Sequence, residues 1–130
     1  MRNSQKDFYK KLLGRNGEKL ASKYLVKNGY KILQTNYVTP FGEADIIAIK
    51  DGVIYFVEVK TRSSLKYGTP GQAVNYKKQQ KYHEIALYFL KCNNLDDANV
   101  IFAVCEVVDG EINFISEAFL WKFPYPHHLA

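Results

Sequence analysis

Residues 42–60, GEADIIAIKDGVIYFVEVK, consist of two runs of apolar, β-branched and aromatic residues separated by Asp51-Gly52. An Asp-Gly pair between two such runs is a strong short-range signal for a β-hairpin. If Asp51 and Gly52 are the two turn residues, Lys50 pairs with Val53. This stretch therefore predicts two antiparallel strands and fixes how they are aligned.

The register of these strands brings charged residues together. Counting outward from the turn places Asp45 opposite Glu58 and Glu43 opposite Lys60. Side chains alternate between the two faces of a strand, so all four should project from one face of the sheet. Two facing carboxylates would lie about 5 Å apart at Cβ, where like charges repel. A divalent cation is the simplest reason for such a pair, and the hairpin predicts a metal site.

Two alternatives to this register stay open. Asp-Gly also forms a type I turn followed by a bulge, which would set Asp45 against Val57 and place the two acids on opposite faces. The acids can also simply flank strand ends at the surface. Their neighbours Ile46, Ile47 and Val57 are apolar on both faces, however, which is typical of strands covered on both sides. Charges inside such strands are costly unless they are paired or bind a metal.

Length and composition indicate one packed domain. With 130 residues, 47% hydrophobic and 15% aromatic content, the chain can bury a single core and is not typical of a disordered protein. We predict one domain over 1–130, with a core at about 7–116 and a C-terminal tail at 117–130. The net charge of +5 permits a polyanionic partner such as a nucleic acid.

The cysteines and the hydropathy pattern indicate the compartment. Cys92 and Cys105 are too few and too isolated for a disulfide framework or a zinc site, so we predict reduced thiols, with Cys105 buried in a strand. No apolar run approaches a membrane span, and the lysine-rich N-terminus lacks a signal-peptide core. The sequence predicts a soluble, cytoplasmic protein that does not bind membranes.

Local patterns predict the order of the other elements. A helix is predicted at about 5–28, with Gly29 as its C-terminal stop. Its inward stripe includes Leu20, Ala21 and Leu25. Thr69-Pro70 is a good start for a second helix. The remaining predicted elements are strands at 30–38, 99–108 and 111–115, the last two joined by Asp109-Gly110. The fold class is therefore α/β, a mixed β-sheet with flanking helices in the order αβββαββ.

The acidic cluster has the residue types that phosphodiester hydrolysis requires. Asp45 and Glu58, with the carbonyl of Val59, can hold a hard divalent ion such as Mg²⁺ or Mn²⁺ through oxygen. Such an ion polarises a phosphoryl oxygen and lowers the pKa of a bound water. Lys60 lies two residues after Glu58 and can position the water or neutralise the transition state. Glu18, on the inward stripe of the first helix, can accept a proton or bind a second ion.

Glu18 also has an ordinary interpretation, as a helix-surface carboxylate paired with Lys19, Lys23 or Arg15. No glycine-rich phosphate loop, Ser-His-Asp order or paired CxxC competes with the hairpin.

A second group of residues is basic and is the predicted nucleic-acid-binding set: Arg62, Lys66, Lys77, Lys78 and Lys81. Tyrosines interleave with these residues, as on surfaces that bind a phosphate backbone. Lys78 lies on the apolar stripe of the second helix, where it can bury its stem and present its charge to the carboxylates. For each lysine taken alone, a solvated helix face is the simpler interpretation.

Three motifs carry a resemblance to a known family: GEKLA at 17–21, GEADIIA at 42–48 and FVEVKTR at 56–62. Over about residues 10–120 the chain resembles the YraN-like family of small bacterial proteins. These proteins belong by resemblance to the PD-(D/E)XK nuclease superfamily and are close to archaeal Holliday junction resolvases. Ala44 stands where the superfamily name has proline, which leaves the carboxylate intact.

The resemblance implies a restriction-endonuclease-like core. It also implies an active-site set of Glu18, Asp45, Glu58 and Lys60, with Lys78 contributing from the second helix.

Together these observations predict a Mg²⁺- or Mn²⁺-dependent DNA endonuclease, with branched or damaged DNA as one candidate substrate. Metal-activated water would attack the phosphodiester. A nucleic-acid-binding protein that keeps the nuclease fold without cutting is the alternative, and an RNA-processing nuclease shares every sequence feature. Cutting both strands of a junction calls for two active sites, which favours a homodimer.

Overall fold

The computed structural model describes residues 16–62 and 75–119. The order of its elements is the predicted αβββαββ, and the α/β fold class is confirmed. The elements are helix α1 (residues 16–27), strands β1 (Lys31–Thr39), β2 (Gly42–Lys50) and β3 (Val53–Arg62), helix α2 (Tyr76–Cys92), and strands β4 (Asn99–Val108) and β5 (Glu111–Phe119).

Five strands form one mixed sheet in the order β1-β2-β3-β4-β5. Strands β3 and β4 are parallel, and the other neighbours are antiparallel. A parallel pair cannot be joined by a tight hairpin, and α2 lies in the connection between β3 and β4. Strand β4 occupies the predicted range and is almost entirely buried, as its unbroken apolar run indicated. Within the described ranges, no helix is long and apolar enough to cross a membrane.

The turn between β2 and β3 has the predicted two-residue geometry. Asp51 and Gly52 have φ angles of 50° and 78°, and Lys50 pairs with Val53. Positive φ at both central positions is the type I′ turn, whose twist matches that of the flanking strands. The register follows without a slip as far as Ile46 opposite Val57, so the bulge alternative is wrong.

Two apolar clusters cover the two faces of the sheet. One contains side chains of α2 and the other contains side chains of α1. Ala21 and Leu25 of α1 are fully buried, as predicted, but Leu20 is 37% exposed and its predicted place in the core is wrong. Residues four apart share a helix face, and Leu20 lies one position away from the buried pair. Cys105 is buried in β4 as expected, and burial raises the pKa of its thiol to about 12.

Helix α1 ends at Gly29 as predicted: the Tyr30 N–H donates to the Leu25 carbonyl (2.9 Å) and the Gly29 N–H to the Val26 carbonyl (3.1 Å), a Schellman motif. Helix α2 begins at Tyr76 with Asn75 as its cap.

The predicted start of α2 at Thr69-Pro70 lies outside the described residues, but the extended backbone of Asn75 shows that no single helix runs from there. Strand β5 continues to Phe119 instead of ending at 115, because an irregularity between Phe102 and Val104 lets its pairing with β4 resume.

Candidate active site

Asp45 and Glu58 lie where strands β2 and β3 separate. The last paired rung between the strands is Ile46 opposite Val57, and the two acids occupy the next position. Beyond it, the Val59 N–H donates to the Asp45 carboxylate, with N and Oδ2 2.8 Å apart. The side chain of Asp45 therefore accepts a hydrogen bond that a strand carbonyl would otherwise take. This contact fixes the carboxylate in the opening between the strands.

Helix α2 supplies two partners to Glu58, which is only 7% exposed. The Tyr82 hydroxyl donates to Oε1 over 2.7 Å, and the Lys78 ammonium forms an ion pair with Oε2. Lys78 and Tyr82 are four residues apart, so one helix face carries both groups to the same carboxylate. The sequence predicted that Lys78 would present its charge to the acids, but it did not predict the hydrogen bond from Tyr82.

The electrostatics of the pair differ sharply between its members. Burial and the charge of Glu58 raise the pKa of Asp45 to about 7, although the Val59 hydrogen bond opposes them. Burial also favours a higher pKa for Glu58, but hydrogen bonds from Lys78 and Tyr82 outweigh it and the pKa is lowered. Each of the two carboxyl groups affects the protonation of the other. Below about pH 7 the pair therefore holds one proton, which resides on Asp45.

Lys60 extends the same strand beyond Glu58 and is partly buried. Burial lowers the pKa of its ammonium, and so do the charges of Lys78 and Arg62, whereas Glu58 and Asp45 act in the opposite direction. Its partner across the parallel ladder is Glu106 of β4. Lys60 is thus within electrostatic reach of the acid pair, as the sequence predicted.

Glu18 approaches the site from α1. Gly17 makes this possible, because a Cβ at residue 17 would collide with the Thr61 side chain of β3. Desolvation and the charges of Glu43 and Glu58 raise the pKa of Glu18, and a hydrogen bond from Asn36 opposes them. Among the described residues, Glu18 forms no ion pair with Lys19 or Lys23, and Arg15, the third candidate partner, lies outside them.

Asn36 is a site residue that sequence analysis missed. With its amide oriented to donate, the nitrogen lies 2.9 Å from Glu18 Oε1 and 3.0 Å from Glu43 Oε1. Its φ of 50° is left-handed, which asparagine tolerates better than most residues. An asparagine in strand β1, next to the strand that carries Asp45, was the available signal. Asn36 joins α1 to the acidic end of β2.

The predicted position of Glu43 is wrong. The paired register of β2 and β3 ends at Ile46 opposite Val57, so Glu43, which pairs with Val38 of β1, forms no ladder pair with Lys60. The reason is the separation of β2 from β3 at Asp45, after which β2 stays paired only with β1. Simple counting from the turn assumed a ladder that continued past the acids.

Arg62 reaches a buried partner. Its Nε lies 3.8 Å from Oε2 of Glu106, whose side chain is fully buried. Among the described residues, neither carboxylate oxygen of Glu106 accepts a hydrogen bond. Glu106 was missed although it is the one charged residue inside the apolar run of β4. The predicted contact of Arg62 with phosphate stays a prediction.

The other predicted basic residues are distributed as follows. Lys77 and Lys81 are exposed on α2, and Lys66 lies outside the described residues. The stem of Lys81 covers Gly42 at the start of β2, where a Cβ would lie 2.7 Å from Lys81 Cδ. This contact brings the basic side of α2 against the β1–β2 turn.

The described acidic side chains supply part of the ligand set that a divalent ion requires. Over residues 16–62 and 75–119, no group of three His, Cys, Asp or Glu side chains is arranged to hold a metal. Asp45 and Glu58 provide two carboxylates, and Mg²⁺ commonly binds one or two carboxylates and completes its shell with water and substrate phosphate. The pair fits that requirement, since two close acids that retain a proton in isolation favour a cation between them.

Comparison with known proteins agrees with this arrangement of motifs. The model of the uncharacterised protein family UPF0102 matches residues 17–116. The chain belongs to UPF0102. The predicted membership of the YraN-like family is thereby confirmed, and the UPF0102 match contains all four residues of the predicted active-site set.

Relatives in UPF0102 match over almost their whole length. A UPF0102 protein of Alkaliphilus metalliredigens is 46% identical over 84% of this chain and 98% of its own. A second, from Caldicellulosiruptor bescii, is 47% identical over 84% and 98% of the two chains. A third, from Thermodesulfovibrio yellowstonii, is 48% identical over 82% and 95%.

Proposed function

We propose that this UPF0102 protein is a metal-dependent endonuclease that hydrolyses phosphodiester bonds in DNA. The observation that carries the proposal is the Asp45–Glu58 pair, two carboxyl groups fixed side by side where strands β2 and β3 separate. A stable fold gains little from a buried pair of acids, and such pairs are characteristic of functional sites. Lys60 beside the pair adds the cation that a phosphoryl group requires.

Magnesium or manganese would be held by Asp45 and Glu58, with the Val59 carbonyl as the proposed third oxygen ligand. A divalent ion at that position would polarise a phosphoryl oxygen and make water a better nucleophile. The protein fixes the two carboxylates independently of any ion, because Asp45 accepts the Val59 N–H and Glu58 accepts the Tyr82 hydroxyl. Burial and the charge of Glu58 raise the pKa of Tyr82, so it remains a donor at neutral pH.

The other side chains have roles that follow from their positions. The Lys60 ammonium neutralises negative charge that develops on the phosphoryl oxygens. Glu18 accepts the proton that the attacking water loses, since a carboxylate with a raised pKa is a better base near neutral pH. The water oxygen forms the new bond to phosphorus, and the departing oxygen takes a proton from solvent. Asn36 holds Glu18 in place for this step.

The direct test is cleavage of plasmid and oligonucleotide DNA in the presence of Mg²⁺ or Mn²⁺. Lys60→Met keeps the aliphatic stem and removes the charge, and we expect cleavage to fall at least about a hundredfold. Lys31→Met, the same change on an exposed strand residue remote from the acids, should leave cleavage unchanged. Equal activity in the wild type and in Lys60→Met would reject the proposed mechanism.

Metal binding should be visible in stability, without any assay of activity. A ligand bound only by the native state stabilises it, so millimolar Mg²⁺, Mn²⁺ or Ca²⁺ should raise the melting temperature by about 3–5 °C. The shift should be larger at pH 8 than at pH 6, because the proton held by Asp45 up to about pH 7 competes with the cation. Differential scanning fluorimetry measures both effects.

The matched variants for this measurement are Asp45→Asn and Asp51→Asn. The first removes a proposed ligand and should abolish the shift. The second makes the same change at the hairpin turn, where asparagine tolerates the positive φ, and should preserve it. A metal-dependent shift of equal size in Asp45→Asn would mean that cations bind elsewhere.

Nucleic-acid binding without cleavage is a second candidate function. The observation that favours it is the ion pair of Lys78 with Glu58, which already gives one acid a cation. Salt-sensitive DNA binding by the wild type, with neither cleavage nor a metal-dependent thermal shift, would establish this function in place of hydrolysis.

A further inference from the structure

The turn between β1 and β2 carries exposed apolar residues on a rigid frame. Phe41 is 46% exposed and Val38 is 72% exposed. The Thr39 hydroxyl accepts the Phe41 N–H at 3.1 Å and donates to the Gly42 carbonyl at 2.8 Å. These two bonds close the turn within itself. An aromatic side chain is therefore presented to solvent from a backbone that is already ordered.

The ring of Phe41 is supported from one side. Tyr88 of α2 packs against it with ring centroids 6.3 Å apart and an interplanar angle of 70°. Tyr88 in turn contacts Tyr37, with centroids 6.4 Å apart. Aromatic pairs of this geometry restrict ring motion, so Phe41 has little conformational freedom to lose when it binds a ligand.

Two lysines of α2 place positive charge near this ring and beside the acid pair. The Lys81 stem covers Gly42, the residue next to Phe41. One helical turn before Lys81 is Lys78, which is paired with Glu58. Along β2 itself, Phe41 and Asp45 are four residues apart, or about 13 Å in an extended strand. At about 3.4 Å per stacked nucleotide, this is a distance of no more than about four nucleotides.

We propose that Phe41 is a base-stacking site, which takes an unpaired base of a nucleic-acid strand whose phosphates lie along Lys81 and Lys77. The inference rests on the proposed function and adds to it the kind of strand that the site selects. Single-strand-binding surfaces combine a basic track with aromatic side chains on which bases stack. A fully paired base is already stacked on its neighbours and has no face to offer. The ring therefore favours DNA with unpaired nucleotides close to the scissile phosphate.

The experiment is a double-mutant cycle on equilibrium binding, measured by fluorescence anisotropy in EDTA so that cleavage does not occur. The substrates are a perfect duplex, the same duplex with a single-stranded overhang, and overhangs in which one base at a time is replaced by an abasic site. Phe41→Ala should weaken binding of the overhang about tenfold, the range measured for loss of one stacked base, and change duplex binding less than about twofold. At one position the abasic substitution and Phe41→Ala should not add.

Two further variants separate stacking from other effects. Phe41→Leu keeps an apolar side chain without a flat ring and should bind the overhang nearly as weakly as Phe41→Ala. Leu95→Ala removes a different exposed apolar residue, which is 37% exposed after the end of α2, and should bind like the wild type.

The inference is overturned if Phe41→Ala weakens duplex and overhang equally or weakens neither. It is also overturned if Phe41→Leu binds the overhang as tightly as the wild type. A change in the sedimentation of the protein alone in Phe41→Ala would overturn it as well, because it would assign the ring to contact between copies of the chain. Metal-dependent cleavage with no effect of Phe41 would reject the stacking site and leave the nuclease intact. Binding that depends on Phe41, without cleavage, would support the stacking site and reject the proposed hydrolysis.

Discussion

Asp45→Asn should lower the cleavage rate at least about a hundredfold and yet raise the melting temperature of the metal-free protein at pH 8. The two effects have one cause. The proposed site requires a second carboxylate, but the fold alone does not, because Asp45 and Glu58 repel each other once both are ionised. Asparagine has the same shape, can accept the Val59 N–H and can donate a hydrogen bond to Glu58.

The pH dependence of this stabilisation follows from the raised pKa. Folded Asp45 titrates at about 7, whereas an unfolded aspartate titrates near its model value of 3.8. Between these values the folded state holds a proton that the unfolded state has lost, so its stability falls as the pH rises through this window. The Asp45→Asn variant should therefore gain about 4 kcal/mol in free energy of unfolding at pH 8, about 2 kcal/mol at pH 5 and little at pH 3.

Paired urea denaturation and cleavage assays on the wild type, Asp45→Asn and Asp51→Asn measure both effects. The Asp51→Asn control should match the wild type in activity and in the pH profile of stability. Loss of stability in Asp45→Asn at pH 8 would show that the carboxylate is a structural group. Retained cleavage would show that it is not a ligand of the catalytic ion.

Lys78→Met should shift the acidic limb of the pH–rate profile upward by about one pH unit, which is about a tenfold loss of rate on that limb. Hydrogen bonding to Lys78 is the main influence that lowers the pKa of Glu58 against the effect of burial. Without the ammonium, burial dominates and Glu58 keeps its proton to higher pH. The acid pair then becomes available to a divalent ion only in more alkaline solution, so much of the rate should return there.

Stability should change in the same variant with a sign opposite to that of Asp45→Asn. A carboxyl group whose folded pKa is lowered stabilises the fold above its unfolded pKa, and this contribution is lost as the pH falls. Lys78→Met removes it, so the variant should be less stable than the wild type at pH 7 and approach it in acid. Lys31→Met, the same change on an exposed strand residue remote from the acids, is the control for both measurements. An unchanged pH–rate profile would show that Lys78 does not set the protonation of Glu58.

Much of the fold could be predicted from local sequence because short-range rules govern hairpins and buried strands. Asp51-Gly52 determined a type I′ turn, and with it the register from Lys50 opposite Val53 to Ile46 opposite Val57. The apolar run of β4 indicated a strand buried on both faces, with the bounds that the structure shows. The stop at Gly29 followed from the left-handed backbone that ends many helices.

The surroundings of the acids could not be predicted in this way. Tertiary structure alone decided that β2 separates from β3 at Asp45, that Glu43 stays with β1, and that Asn36 joins it to Glu18. It also decided which helix residues reach Glu58. A turn and a strand register depend on residues a few positions apart, whose geometry the backbone fixes. The charge state of a buried carboxylate depends instead on groups that are distant in sequence and meet only when the chain is folded.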